Sequence, residues 1–552
     1  MNTRARRSTI DRRRSPRGAH RSRYRAAVDG SLGWFAGAAT IAILVALFTR
    51  QRGWGMALPV LAVGALVGLI PGGLTAPPDP EIVLLAILAP LVFGESLGSS
   101  YLDLRKVSRP VLVLAIGLVI VTTLAVGGVM VWITAVPVAL AMCLGAILAP
   151  TDLVAVSNVA RSASLPRRLV SVLEGESLVN DGTGLTVLRV ATVAAVAGGL
   201  TLGQIGITFL LAVVGGVGVG LLGGWILTWI AVRTKDAVAA NSLTLVAPIV
   251  LYLLAERIEG SGILAVVVAA LYIAHAQTSG IKRTGRVQGV TVWRHVTFVL
   301  QAMAFFLVGM ELVDTIEILS PKHLSYLIIL TIIVTLTLIV TRMVFVAVMA
   351  KVGSLRDSVK PDPKHLLLAG WAGARGPVSG MAAFSIPVAM ADGQAMPYRD
   401  LILATTFCVI VLTLLLSQTL APLARLLKIS GEDESEELAR VETALAHAAL
   451  RRLELEEEQA ALRGEPVPAE VSAALRAEVE NRITRVGERP EEPVTDLRST
   501  RAELERVMVR AEEEELLRIR SEEGLPDAIV RPILHELDVR SMSMEKPKGE
   551  GH

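Results

Sequence analysis

Glu174-Gly175-Glu176-Ser177-Leu178-Val179-Asn180-Asp181-Gly182-Thr183-Gly184 sets three carboxylates, an amide and hydroxyls side by side. The chain then continues through residues 185–188 and 190–196, which are almost wholly apolar. At 3.6 residues per turn, Glu174, Ser177 and Asp181 share one face of a helix, and Glu176 and Asn180 stack on the neighbouring face. Acids embedded in an apolar helix are expensive at membrane depth and mark functional sites by default. The reading therefore starts from this helix and works outward.

The surrounding sequence supplies the membrane. Of 552 residues, 52% are hydrophobic, well above the usage of an average soluble domain. Many runs reach the roughly 20 residues that cross a bilayer. Hydropathy predicts thirteen membrane helices, near 33–49, 55–71, 82–99, 110–134, 137–160, 169–195, 203–232, 242–255, 261–278, 296–312, 323–350, 365–390 and 401–424. The expected fold class is thus an all-α polytopic membrane protein with about 13 transmembrane helices.

Charge divides the chain into three zones. Residues 1–30 are a basic, disordered segment with ten Arg against two Asp. Residues 31–428 form the transmembrane domain. Residues 429–552, with 18 basic and 31 acidic residues, form an acidic, mostly helical tail. Loops after odd-numbered helices carry 18 Lys or Arg, and loops after even-numbered helices carry 3. Positive loops stay in the cytoplasm, so the tail is expected to be cytoplasmic. Thirteen helices then place the N-terminus outside, against its ten Arg. Of the ways out, the expectation is that the native start lies downstream of the Arg tract. No cleavable signal peptide is read.

Other classes find little support. Cys143 and Cys408 both lie in apolar segments and form neither a disulfide framework nor a metal site. The eight His are scattered. No Gly-rich nucleotide fingerprint and no nucleophile–base pair are present, so no cofactor, no nucleic-acid partner and no enzymatic activity are expected.

Two spans look broken. The fifth contains Ala149-Pro150-Thr151-Asp152, and the twelfth contains the Gly-rich run Gly370–Gly380 with Arg375 and Pro377. Pro removes a backbone donor and clustered Gly weakens a helix. Seven spans separate the breaks, so the two segments run in opposite directions. Paired interrupted helices in two inverted halves point to a transporter site at the midplane.

Asp181 is the candidate carrier. A carboxylate at the base of a cavity holds a proton or a small cation but hardly both, so release of one accompanies capture of the other. Burial and hydrogen bonding set its proton affinity against each other. Asn180 adds an amide without a second charge. Thr151 and Asp152, with carbonyls freed by the break, suit a hard cation that wants oxygen ligands; Asp152 could instead cap the second half-helix. Ser177 could line the site from the Asp181 face. Arg375 is expected either to neutralise half-helix carbonyl ends or to pair with Glu176. Glu95 reads equally as a pathway acid or an interfacial residue, and Arg189 and Arg342 as mainly structural.

Pro150-Thr151-Asp152, Leu173 through Gly182, and Gly370-Trp371 through Arg375-Gly376 resemble the monovalent cation:proton antiporters, in their NhaP/NHE-like branch. Phe298–Gly309 and Gln418-Thr419 support the likeness, which spans about 80–428. The resemblance implies two inverted six-helix repeats with crossing broken helices, an NhaA-like antiporter fold. A core domain then moves against a dimerisation domain. It implies a homodimer in the cell membrane of a prokaryote that exchanges Na⁺ or Li⁺, sometimes K⁺, for H⁺. In that pattern Asp181 matches the ion-carrying Asp, and Asn180 the Asn that goes with electroneutral exchange. Thr151, Asp152 and Ser177 match cation-site neighbours, and Arg375 and Glu176 match a stabilising charge pair. Leu153, Ala372 and Ala374 depart from the family pattern and put the shape of the ion pathway in question.

Overall fold

The structure is a computed structural model that describes residues 37–70, 80–99, 107–152, 167–234, 236–277, 283–318, 321–354, 362–390, 393–429, 434–464 and 467–487, with Leu104 and Glu512. The basic segment 1–30, the second half of the fifth span and, Glu512 apart, the tail beyond residue 487 lie outside the described residues. The chain divides into two compact units, Met1–Gly431 and Glu432–His552.

The first unit is helical. In chain order it contains α1 (Gly37–Gln51), α2 (Ala57–Gly68), α3 (Leu84–Leu97), α4 (Ser108–Ile133), α5 (Val138–Leu148) and α6 (Arg167–Val196). Then come α7 (Leu202–Arg233), α8 (Ala237–Arg257), α9 (Gly262–Gln277), α10 (Arg283–Ile318) and α11 (Pro321–Ser354). It closes with α12 (Pro363–Trp371), α13 (Pro377–Ala383), α14 (Arg399–Ser417) and α15 (Leu420–Leu426). Among the described residues the only β pairing is the single antiparallel bridge of Ala389 with Ala395. The architecture follows from the solvent: in lipid, each backbone N–H and C=O must be satisfied within its own segment, and the helix does this.

Among the described residues, six helices are long and apolar enough to cross a membrane, and five shorter apolar helices accompany them. Large apolar side chains on the outward faces of α4, α7, α8 and α11 are exposed, among them Leu124, Trp132, Leu222, Trp225 and Ile332. The buried core is built from Phe93, Phe305, Phe306 and Phe407 with Leu and Ala from the surrounding helices.

The two expected breaks meet, and of the first the described residues show the near side, through Asp152. α5 stops at Leu148, just before Pro150. α12 stops at Trp371, and after a non-helical stretch α13 restarts with Pro377 in its first turn, where a missing N–H costs nothing. The Asp152 N–H donates to the Ala374 carbonyl at 2.9 Å. The two unwound segments thus satisfy each other's backbone, as irregular backbone at membrane depth requires.

The second unit contains α16 (Glu434–Leu462) and α17 (Ala469–Gly487). They pair antiparallel: Arg476 bonds Glu457 at 2.6 Å and lies 3.8 Å from Glu454, and Ser472 bonds Glu457. The Ser472 hydroxyl and the Arg476 guanidinium hold the Glu457 carboxyl below the usual carboxylate range.

The crossing leaves no space for a side chain at Gly376, where a Cβ would stand 2.5 Å from Asp152 Cγ. Gly376→Ala should therefore destabilise the protein by about 1–3 kcal/mol, read as a lowered thermal midpoint in detergent. Gly218→Ala, at a position with nothing within 4 Å, should leave the midpoint in place.

Candidate functional site

The site forms where α6 passes the crossing. Ser177 Oγ donates to the Thr151 carbonyl at 2.5 Å, and Asn180 Nδ2 donates to Thr151 Oγ1 at 2.9 Å. These bonds fall one turn apart on α6, as the spacing of 177 and 180 requires. They hold the unwound end of α5 against the helix that carries Asp181. Thr151, Asp152, Ser177, Asn180 and Asp181 are all buried. The structure thus brings together every residue that sequence reasoning assigned to the cation.

What the hydrogen bonds leave over is informative. Asn180 Oδ1 and Asp181 Oδ1 are buried and accept no hydrogen bond among the described residues. A buried acceptor left unsatisfied costs about 1–3 kcal/mol, and more when charged. The charged groups that act most strongly on Asp181 are Glu95 and Asp152, both acidic. Glu95, on α3, accepts a hydrogen bond from Gln301 Nε2 of α10 at 2.8 Å. Asp181 thus sits in the field of two further acids, which attracts cations. Among the described residues no cluster of three or more His, Cys, Asp or Glu side chains could hold a metal ion. The oxygens gathered here come from two carboxylates, an amide, hydroxyls and a carbonyl, a donor set suited to a hard cation carried as cargo.

The charge pair expected between Arg375 and Glu176 is corrected by the structure. Glu176 takes a two-pronged grip from Arg342 of α11, Nη1 to Oε1 and Nη2 to Oε2. Arg342 also donates from Nε to the Ala369 carbonyl at 2.9 Å. Arg375 lies within electrostatic reach of both, but its guanidinium donates to the Leu148 carbonyl at 2.7 Å and to the Gly373 carbonyl. The physical reason lies in the breaks. α5 ends at Leu148, and the carbonyls of a helix C-terminus are unsatisfied and partly negative. Arg375 neutralises them, which frees Glu176 for Arg342. Thr413 on α14 completes the crossing by accepting the Arg375 N–H at 3.2 Å. Sequence reasoning missed the roles of Arg342, Gln301 and Thr413. Only Arg342 carried a signal, as a lone charge deep in an apolar span.

The profile of the sodium/hydrogen exchanger family, transmembrane region, matches residues 37–426. The chain belongs to that family. Among its relatives, a Bacillus pumilus protein named as a sodium, potassium, lithium and rubidium/H⁺ antiporter is 30% identical over 70% of this chain. The match covers 59% of that relative, so the chain spans less than two thirds of its length. A Na⁺/H⁺ exchanger of Escherichia coli, uncharacterised, is 27% identical over 90% of this chain and 95% of its own. The solved structure of the Methanocaldococcus jannaschii sodium–proton antiporter MjNhaP1 aligns with a TM-score of 0.60 at 21% identity. It covers 73% of this chain and 99% of that one. The exchanger family member described here therefore has the MjNhaP1 fold.

The Arg342–Glu176 pair is buried on both sides. Arg342→Ala should cost about 3–5 kcal/mol by stranding the Glu176 charge, whereas Arg342→Met with Glu176→Met should recover most of that loss. Thermal unfolding of the single and double variants in detergent checks both.

Proposed function

We propose that the protein exchanges Na⁺ or Li⁺ for H⁺ across the cell membrane by alternating access, with Asp181 carrying either the cation or the proton. The observation that carries this reading is the buried Asp181 oxygen with no donor, set against the crossing of two broken helices. Family membership and the MjNhaP1 fold support it. In this reading Asp152, Thr151 and Ser177 complete the oxygen cage, and Asn180 keeps the site at one carried charge, which makes the exchange electroneutral. Arg342 and Arg375 are the structural cations that hold the cage. The chain acts as a transporter, not an enzyme, and serves pH and sodium homeostasis.

The same reading takes the chain as thirteen crossings built from two inverted six-helix repeats, flanked by the basic segment 1–30 and the cytoplasmic tail from 429. It functions as a homodimer in the plasma membrane of a prokaryote. K⁺ enters as a second candidate cargo because the Bacillus pumilus relative's name includes potassium. A passive cation channel would need a continuous polar lining, whereas Thr151, Asp152, Ser177, Asn180 and Asp181 form one compact buried group.

Dequenching of a pH-sensitive dye in proteoliposomes, with Na⁺, Li⁺ and K⁺ added in turn, tests the proposal. The wild type should respond to Na⁺ and Li⁺, and Asp181→Asn should lose the response while remaining folded and membrane-inserted. Full exchange by the variant would defeat the assignment of Asp181. Asn180→Asp should make exchange sensitive to an imposed membrane potential, read in the same vesicles with a potassium–valinomycin clamp.

A further inference from the structure

Three basic residues fall inside the apolar spans predicted from the sequence, Arg189, Arg342 and Arg375. Arg342 and Arg375 are absorbed by Glu176 and by half-helix carbonyls. Arg189 is left, and it sits on α6 eight residues past Asp181, about 12 Å along the helix axis. Its Nη1 donates to Glu256 Oε1 at 2.5 Å and to the Gly260 carbonyl. One turn earlier on the same helix, Thr186 Oγ1 lies 3.0 Å from Ser261 Oγ. Every one of these partners belongs to the turn between α8 and α9 or to the residue group flanking it.

That turn is fixed to α7. The Ser261 N–H donates to the Ala212 carbonyl at 2.8 Å. Gly260 packs so closely on α7 that a Cβ would stand 2.8 Å from the Gly215 carbonyl carbon. Glu256 Oε1 also accepts the Gly262 N–H at 3.2 Å, so the oxygen that receives Arg189 ties the start of α9 as well. On its other half α6 is bonded elsewhere: Glu176 to α11, and Ser177 and Asn180 to the break after α5. The helix that carries Asp181 is thus joined to the broken-helix group at one end and to the α7–α9 group at the other.

Loop charge tells which end is which. The first turn of α6 carries Arg167 and Arg168, with Arg161 before it, whereas residues 197–201 contain no Lys or Arg and the α8–α9 connection has only Arg257 at its edge. The positive-inside rule puts the Arg189 contacts on the outer side. We propose that Arg189, gripping Glu256 and the Gly260 carbonyl with Thr186 against Ser261 beside it, is the outer latch of the exchanger, which must open to admit ions from outside and close again in each cycle. The proposal rests on the alternating-access reading above. Its exposure suits the task. Arg189 and Glu256 side chains are 23% and 36% accessible, so neither charge is sealed in the protein interior when the pair parts. The fully buried Arg342–Glu176 pair could not be parted without stranding both charges.

Two experiments decide it. In a Cys143→Ala, Cys408→Ala background, Thr186→Cys with Ser261→Cys is reconstituted, oxidised, and its cross-link verified by mass spectrometry. Cross-linked protein should lose at least ten-fold in Na⁺-driven exchange and regain it on reduction. Undiminished exchange by cross-linked protein would overturn the latch. Independently, Arg189→Gln and Glu256→Gln are compared with wild type in vesicles of known orientation, with Na⁺ presented to one face at a time. Weakening the latch should lower the apparent KM for outside Na⁺ several-fold and raise it for inside Na⁺. Equal changes at both faces, or only a loss of folded protein, would mean a static clamp and overturn the proposal. The wild type in the same vesicles separates the two levels. Without exchange at either face the antiporter reading fails, and the latch with it; with exchange, the result bears on the latch alone.

Discussion

Everything near the centre of this protein depends on how the ends of broken helices are satisfied without water. Breaking α5 and the α12–α13 segment frees carbonyls and amides at membrane depth, where each unsatisfied group costs several kcal/mol. The protein answers with one backbone bond between the breaks, Asp152 to Ala374, and one cation, Arg375, on the carbonyl of Leu148. Once those groups are quenched, one oxygen each of Asn180 and Asp181 beside the crossing still has no hydrogen-bond donor among the described residues, as do the buried hydroxyls of Ser96, Thr228, Thr331 and Thr335 elsewhere.

The same logic explains why two arginines are needed. A single buried cation could not serve both the half-helix carbonyls and the Glu176 carboxylate, because their donors must point in different directions. Arg375 projects from the break itself. Arg342 reaches in from α11 and presents a flat fork that matches both oxygens of Glu176. With both occupied, neither guanidinium makes a hydrogen bond to Asp181, and the acids Glu95 and Asp152 dominate its field. A cation bound at Asp181 would therefore not have to displace a protein cation first.

α6 is the element that joins these layers. Its middle carries Asn180 and Asp181, its inner half is bonded to the break and to α11, and its outer half is bonded to the α8–α9 turn. In the proposed cycle a displacement of this helix relative to α7–α9 changes access to Asp181 while the bonds of Ser177 and Asn180 to Thr151 stay in place. Site and motion are thus separated along one helix: the short bonds to Thr151 travel with the site, and the exposed contacts of Arg189 lie outside it.

By itself the sequence determined the membrane class, the apolar helices, where α5 and α12 stop, and the residues that gather around Asp181. These are local properties. Hydropathy, proline and glycine placement, and the spacing of 177, 180 and 181 act within a few turns of one helix. Tertiary structure alone decided which charges pair. Glu176 and Arg342 are 166 positions apart, and from the sequence Arg342 and Arg375 were both available to it. The choice fell to Arg342 because the end of α5 packs against Arg375 and takes its donors. Likewise Arg189 read as one more structural charge, since nothing in α6 shows that the turn at 258–261 will lie beside it. Pairing between distant helices is set by how their bodies pack, and that information appears only once the chain is folded.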